Sequence, residues 1–439
     1  MAFHFLSLFL NKHSYNAQML KKKKIKNTQF KNFVIYGFGQ VVNLISPLLV
    51  MPYIVSICGE DGLGKVGVGF SFALIAIVLV DYGSYINGTK EVSISNTNNK
   101  ILEDKFTTIY LAKFILLLIV LVLSIFIILF IPFFQKDKLQ LLFSLFIIIG
   151  QFINPIWFFQ GIQNFKWITT VNILSKVIYV STIFLFIKNA QDFIYVNFFQ
   201  GLGLIISSSF GFIWIYFKYN FSFKNVSIKN ALKLIKSEFT LTASQLFFSF
   251  YQYAPIIIIS YVCGNTIAGQ FRIIDQVMMI FRTYFQMFFN FIYADVCFKI
   301  FNNVTIGIHN WKKNNSLNYM LVLFIVVCFY FNSNAILAFF KVKANNLEEL
   351  SSYFKIGLVI PVFMGISFAL KQLMFSFNKN NEYIKITIYS TLLSLLILYS
   401  LLINIGLKGA FFSTISIEII TIISYCLVLK SSFVKKTIK

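Results

Sequence analysis

This chain of 439 residues contains only two arginines, Arg272 and Arg282, and only 15 acidic residues against 38 lysines and arginines. With so few carboxylates, the chain carries a formal net charge of +23. The five cysteines (Cys58, Cys263, Cys297, Cys328 and Cys426) form no CxxC pair, and the three histidines (His4, His13 and His309) lack ligand spacing. Metal and disulfide chemistry are therefore not expected. Long polar stretches are also missing. The widest gaps between apolar runs, 88–107, 218–239 and 298–316, are each about 20 residues, which leaves no room for a soluble catalytic or nucleotide-binding domain. Any function has to be built from the apolar segments themselves.

Those segments dominate. Hydrophobic residues make up 58% of the chain and charged residues 12%, and mean hydropathy is +0.77, outside the range of a soluble domain. Runs of roughly 20 apolar residues are long enough to cross a bilayer. They predict about twelve transmembrane helices, near 33–57, 66–87, 108–134, 139–160, 167–187, 192–217, 240–263, 266–297, 317–340, 353–377, 383–405 and 407–429. The expected fold is an all-α integral membrane protein. Lysine placement predicts its orientation: with the N-terminus inside, 24 basic residues fall in inside segments and 7 in outside ones. Both termini are then cytoplasmic, as are a basic segment at 1–32, a basic linker at 218–239 and a tail at 430–439. The net charge of +23 follows from this asymmetry and predicts contact with anionic membrane lipids rather than nucleic acid.

Phe3 to Leu10 is too short to span, with no basic region before it and no small-residue cleavage site after it, so it does not read as a signal peptide. Met19, just ahead of Lys21 to Lys24, is therefore an alternative start to Met1.

Both arginines fall inside one apolar run. At 100° per residue, Arg272, Asp275, Gln276, Met279, Arg282, Thr283, Gln286 and Asn290 share about 120° of arc. Seven of those eight are polar, and every other residue from 272 to 290 is Ile, Val, Met, Phe or Tyr. Ionisable groups at membrane depth cost of order 2–3 kcal/mol or more each and mark a pathway unless they serve only as a packed ion pair. The uncharged stripe residues, which an ion pair alone would not need, favour the pathway. Gln40 and Asn43 on the first span are candidates for the facing wall, with an interhelical hydrogen bond as the alternative. Asp81, Lys176 and Glu418 are candidate cavity charges. Lys113 and Lys371 lie nearer span ends, where long side chains reach the interface.

A shift of 205 residues brings Gln40 onto Gln245, Gly59 onto Gly264 and Gly64 onto Gly269; Pro155 and Pro361 match one residue off. The repeat predicts two halves of six helices each, 33–217 and 240–429, in the same orientation, with the substrate site between them. Gly59 to Lys65 satisfies GxxxxGK, but Val66 replaces the Ser or Thr of a phosphate-binding loop, two carboxylates intervene and no strand precedes it. A tight turn between spans is the better reading.

Met51-Pro52-Tyr53-Ile54 followed by Gly59 and Gly64 resembles the first hairpin of the polysaccharide transporter family, whose Wzx members are O-antigen and capsule repeat-unit flippases. Trp157-Phe158-Phe159-Gln160-Gly161, with Gln163, Phe165-Lys166 and Asn172-Ile173-Leu174, resembles its fourth-to-fifth helix segment. Pro255, Gly264, Gly269 and Gln270-Phe271-Arg272 resemble its seventh-to-eighth helix turn. Gln163 stands where relatives often carry Glu, so no acid role is assigned there. The resemblance runs from about Phe30 onward. It implies two six-helix bundles around a central, partly cationic cavity, as in the multidrug/oligosaccharidyl-lipid/polysaccharide exporter superfamily. It further implies a lipid-linked oligosaccharide as substrate, carried on undecaprenyl diphosphate, with a polysaccharide polymerase and chain-length proteins as partners. Guanidinium forks suit diphosphate. The rival within the superfamily, a drug/cation antiporter, would call for acidic cavity residues. A membrane polymerase or ligase would need a large outer loop, and the largest outside segment, 341–352, is short.

Overall fold

The computed structural model describes residues 2–223 and 226–437, with side chains described for Ile35, 37–223 and 226–430. The expectation about Met19 lies outside the described side chains. Among the described residues the regular elements are all helical. α1 (Ala2–Asp81) is followed by a π-helical turn, Ser84–Gly88. Next come α2 (Thr89–Ser95), α3 (Asn99–Phe130), α4 (Pro132–Gln135), α5 (Lys138–Ile153), α6 (Ile156–Gly161) and α7 (Phe165–Phe186). After a 3-10 turn, Ala190–Tyr195, the chain enters α8 (Val196–Tyr219), α9 (Ile228–Cys263), α10 (Asn265–Asn302) and α11 (Val304–Phe331). It closes with α12 (Ser333–Phe339), α13 (Ala344–Gly357), α14 (Val359–Ser376), α15 (Asn380–Ile405) and α16 (Leu407–Thr437).

Among the described residues, ten helices are long and apolar enough to cross a membrane. The chain is therefore a multi-pass membrane protein. The first candidate, Gly37–Asp81, is 45 residues long. At 1.5 Å per residue it covers about 68 Å, twice a bilayer's hydrocarbon core of about 30 Å, and it is broken midway at Gly59. α10 is absent from the ten because its polar stripe lowers its hydropathy.

Several helices outrun the segments that hydropathy marks. α11 begins at Val304 rather than near 317, after the single residue Asn303, so 298–316 is helix and not loop. α9 begins at Ile228, which puts Lys229, Lys233 and Lys236 of the expected linker on a helix, and α16 continues past Lys430. The physical reason is that backbone hydrogen bonding continues through polar residues, whereas a hydropathy window reports only the lipid-matched part. The second span ends at Asp81, earlier than expected, because Tyr82 (φ 42°) and Gly83 (φ 74°) turn left-handed.

The repeat reappears as geometry. Gly59 (φ 71°, ψ 178°) and Gly264 (φ 89°, ψ 168°) adopt the same non-helical conformation, one that only glycine enters without strain. Five residues on, Gly64 and Gly269 lie against one another: a Cβ on Gly64 would strike the carbonyl of Asn265, and one on Gly269 would strike the carbonyl of Glu60. Asn265 is the 205-residue partner of Glu60, so the contact is reciprocal. An apolar core that includes Ile54, Leu63, Ile273 and Val277 packs α1 against α10 near this contact. We call this the glycine end.

Candidate functional site

A cavity of about 1050 Å³ lies away from the glycine end. On α10 it is lined from Phe271 to Phe291; on α14, α15 and α16 it runs from Met364, Leu398 and Ser413 to Lys371, Tyr383 and Tyr425. It thus stops short of the Gly64–Gly269 contact and extends toward the opposite end.

Six of the nine expected pathway residues line it: Asp275, Arg282, Thr283, Gln286, Asn290 and, from α1, Gln40. The other three do not. Gln276 is buried at the edge of the stripe, Asn43 is half-buried elsewhere on α1, and Arg272 lies above the cavity with its guanidinium 5.3 Å from the ring of Phe70. Each belongs to the right helical face or its margin, but the cavity occupies only part of that face. Among the candidate charges, Glu418 lines the cavity and accepts a 3.4 Å hydrogen bond from the Tyr251 hydroxyl. Asp81 does not: it pairs with Lys113 at 3.0 Å and lines a separate cavity of about 510 Å³ beside the π-helical turn. Lys176 lines neither cavity, and its ammonium lies 6.0 Å from the Tyr179 ring.

Asp275 is the hub of the stripe. It accepts from Arg282 Nη1 at 2.9 Å and from Arg272 Nη1 at 3.4 Å, the spacings of seven and three residues placing both guanidiniums over it. Three charges bound this way carry a net +1, in a region where a lone charge would be costly. Arg282 uses the same Nη1 for Met279 Sδ, so among the described residues no hydrogen bond engages its Nε–Nη2 edge. That edge is the planar pair of donors that fits two oxygens of a phosphate.

Sequence reasoning missed the opposite wall. Thr387, Ser390, Thr391 and Ser394 on α15 and Ser413, Thr414 and Thr421 on α16 all line the cavity. Their i, i+3, i+4, i+7 spacing on α15 was a readable signal, hidden because single hydroxyls barely lower hydropathy. Several return their protons to the helix backbone, as Thr391 does to the Thr387 carbonyl at 2.8 Å, which leaves oxygen lone pairs as acceptors for a polyhydroxylated ligand. The expectation for Lys113 and Lys371 is overturned. Lys113 is 1% exposed and ion-paired rather than reaching an interface, and Lys371 lines the cavity.

The family described as "Polysaccharide biosynthesis protein" matches residues 30–301, well over half of the chain. The chain belongs to that family. Two curated relatives carry the name "Putative O-antigen transporter". The one from Escherichia coli (strain K12) is 22% identical over 381 residues, covering 84% of this chain and 89% of the relative. That from Shigella dysenteriae is 21% identical, covering 57% and 62%. Among solved structures, the lipid II flippase MurJ in an inward closed conformation has a TM-score of 0.70 at 15% identity, over 92% of this chain and 89% of that one. An inward-facing multidrug resistance MATE family transporter of the MOP superfamily also scores 0.70, at 13% identity over 91% and 96%. The shared fold is that of an all-α membrane transporter.

The family member's most specific sequence block turns out to be core rather than site. Trp157, Phe158 and Phe159 are all fully buried, wrapped by Phe106, Tyr219 and Phe221. Gly161 is held where any Cβ would meet Val92.

Wetness of the stripe is testable. In a background lacking the five native cysteines, Thr283→Cys and Gln286→Cys are expected to react with a hydrophilic maleimide about tenfold faster than Phe281→Cys and Phe285→Cys, since thiolate formation needs water. The two phenylalanines are 4% and 1% exposed. Equal rates at all four positions would withdraw the site.

Proposed function

We propose that this protein is a flippase that moves undecaprenyl-diphosphate-linked oligosaccharide, an O-antigen or capsule repeat unit, across the bacterial inner membrane. The observation that carries the reading is Arg282: a guanidinium inside a membrane-buried cavity, held by Asp275 through one nitrogen and offering its other edge, opposite a wall of hydroxyls. The arginine suits the diphosphate and the hydroxyls suit sugars. Family membership and the O-antigen transporter relatives support it.

In this reading α1 split at Gly59 and α10 join the apolar candidates to give twelve crossings in two six-helix halves, 33–217 and 240–429. The glycine end faces outward and both termini are cytoplasmic. Rocking of the halves about the site gives alternating access. The chain does no chemistry of its own, and a polymerase and chain-length proteins consume its product outside. Expression in a strain lacking its O-antigen flippase should restore surface polysaccharide; failure with every repeat unit tried would count against the assignment. Reporter fusions after Asn220 and Lys379 should read cytoplasmic and those after Asn189 and Lys343 extracytoplasmic. An outside result at Asn220 would reverse the orientation.

A further inference from the structure

Lys371 is the second cation lining the cavity, and its surroundings differ from those of Arg282. No hydrogen bond or ion pair holds it among the described residues. Four aromatic rings do: its ammonium lies 5.3 Å from the centroid of Phe368, 5.3 Å from Tyr383, 5.5 Å from Phe289 and 5.9 Å from Phe375. Phe368 and Phe375 sit three residues before and four after Lys371 on α14, so helix geometry alone brings them to its flanks. Phe289 comes from α10 and Tyr383 from α15, and the rings fix one another, Phe375 to Tyr383 at 4.7 Å and Phe289 to Phe375 at 6.1 Å.

Glu418, on the same cavity, acts on Lys371 electrostatically but forms no ion pair with it among the described residues, so the direct contacts of the ammonium are the rings. Ring faces stabilise a cation without neutralising it, so position is fixed while the charge and its three donors remain available. Arg282 and Arg272, by contrast, share Asp275 at rest. Phe289 marks the level of Lys371 on α10, seven residues from Arg282 and toward the cavity end opposite the glycines, an axial separation of about 10 Å.

Resting on the flippase reading above, we infer that Lys371 is the entry contact of the transport path: it takes the diphosphate of the substrate first and passes it to Arg282. The ring cradle then serves a second purpose, since the sugar next to the diphosphate meets Phe368 and Tyr383 face on.

The test uses the full-length protein in phosphatidylcholine nanodiscs, with undecaprenyl diphosphate, which carries no sugar, as the probe. Acetylation of Lys371 by an amine-reactive ester, followed by peptide mass spectrometry, should proceed without the probe and slow about fivefold with it, while undecaprenol should have no effect. Labelling that is absent in both states or equal in both overturns the inference, as does equal protection by phosphatidylglycerol, which would make bulk lipid the occupant. For affinity, Lys371→Met keeps the cradle filled and removes the charge; binding should weaken about tenfold, with Lys371→Arg within about threefold of wild type. Arg282→Gln separates the two ideas. If wild type does not bind the probe, or Arg282→Gln binds as wild type does, the flippase reading falls. If Arg282→Gln is impaired and Lys371→Met is not, only the role of Lys371 falls.

Discussion

Arg282→Ala is expected to reduce surface polysaccharide to less than about a tenth of wild type while the protein still accumulates in the membrane. The accumulation follows from the cluster's geometry. Removing one partner of a buried ion pair costs about 3–5 kcal/mol when the other is left uncompensated, but Asp275 keeps Arg272 at 3.4 Å and faces the cavity. Arg282→Lys should recover only part of the activity, because a point charge lacks the two-donor edge. Arg272→Ala should retain more function than Arg282→Ala: it loses stacking on Phe70 and one partner of Asp275, yet removes no cavity-lining cation. Polysaccharide assay with immunoblotting of membranes decides. If both alanine variants assemble normal polysaccharide, the stripe is structural.

The second large effect is expected from a single methyl group. In Gly269→Ala the new Cβ would lie against the Glu60 carbonyl, and Gly64→Ala would do the same to Asn265. Backbone oxygens on two packed helices do not give way as a side-chain tip does, so α1 and α10 must separate. Overpacking of this kind costs about 1–3 kcal/mol, and in the rocking proposed above it falls on the conformation in which the glycine end is shut. Gln270→Cys is 8% exposed as glutamine; in intact cells it should become reactive to a membrane-impermeant thiol reagent once Gly269→Ala is added, with polysaccharide export falling in parallel. Gly37→Ala, where a Cβ meets nothing within 4 Å, is the control for helix propensity. Unchanged protection of Gln270→Cys would show that the contact is not a gate.

How much of this was legible in the residues depends on which physical signal each part leaves. Hydropathy is a strong signal, so the membrane class and most helices could be read directly. The polar stripe was visible because seven polar side chains on one face of an apolar helix need a common cause. Gly59 and Gly264 could be paired from their spacing, though not their mutual approach, which requires the tertiary arrangement. Depth was the harder quantity. Arg272 and Arg282 share a face, and no sequence pattern says that the cavity ends between them. Lys113 and Lys371 look alike on a hydropathy plot; one is neutralised by Asp81 and the other is ringed by aromatics contributed from three helices. Trp157-Phe158-Phe159 carries the resemblance in the sequence yet is fully buried, since a residue pattern that can be read as a motif can mark packing as well as function.

Glu60 lies inside the glycine contact, 5% exposed, with Oε2 accepting from Gln270 at 2.8 Å and Asn346 at 3.2 Å, while Oε1 accepts no hydrogen bond from the described residues. A carboxylate half-satisfied in this way is penalised while the contact is closed and relieved by water when it opens. Closure gains glycine-to-glycine packing and apolar burial; opening gains hydration of an acid. In the rocking proposed above, the two gains oppose each other and so favour two conformations close in free energy. A transporter needs that near-degeneracy, because a substrate can shift the balance only by the difference in its affinity for the two states.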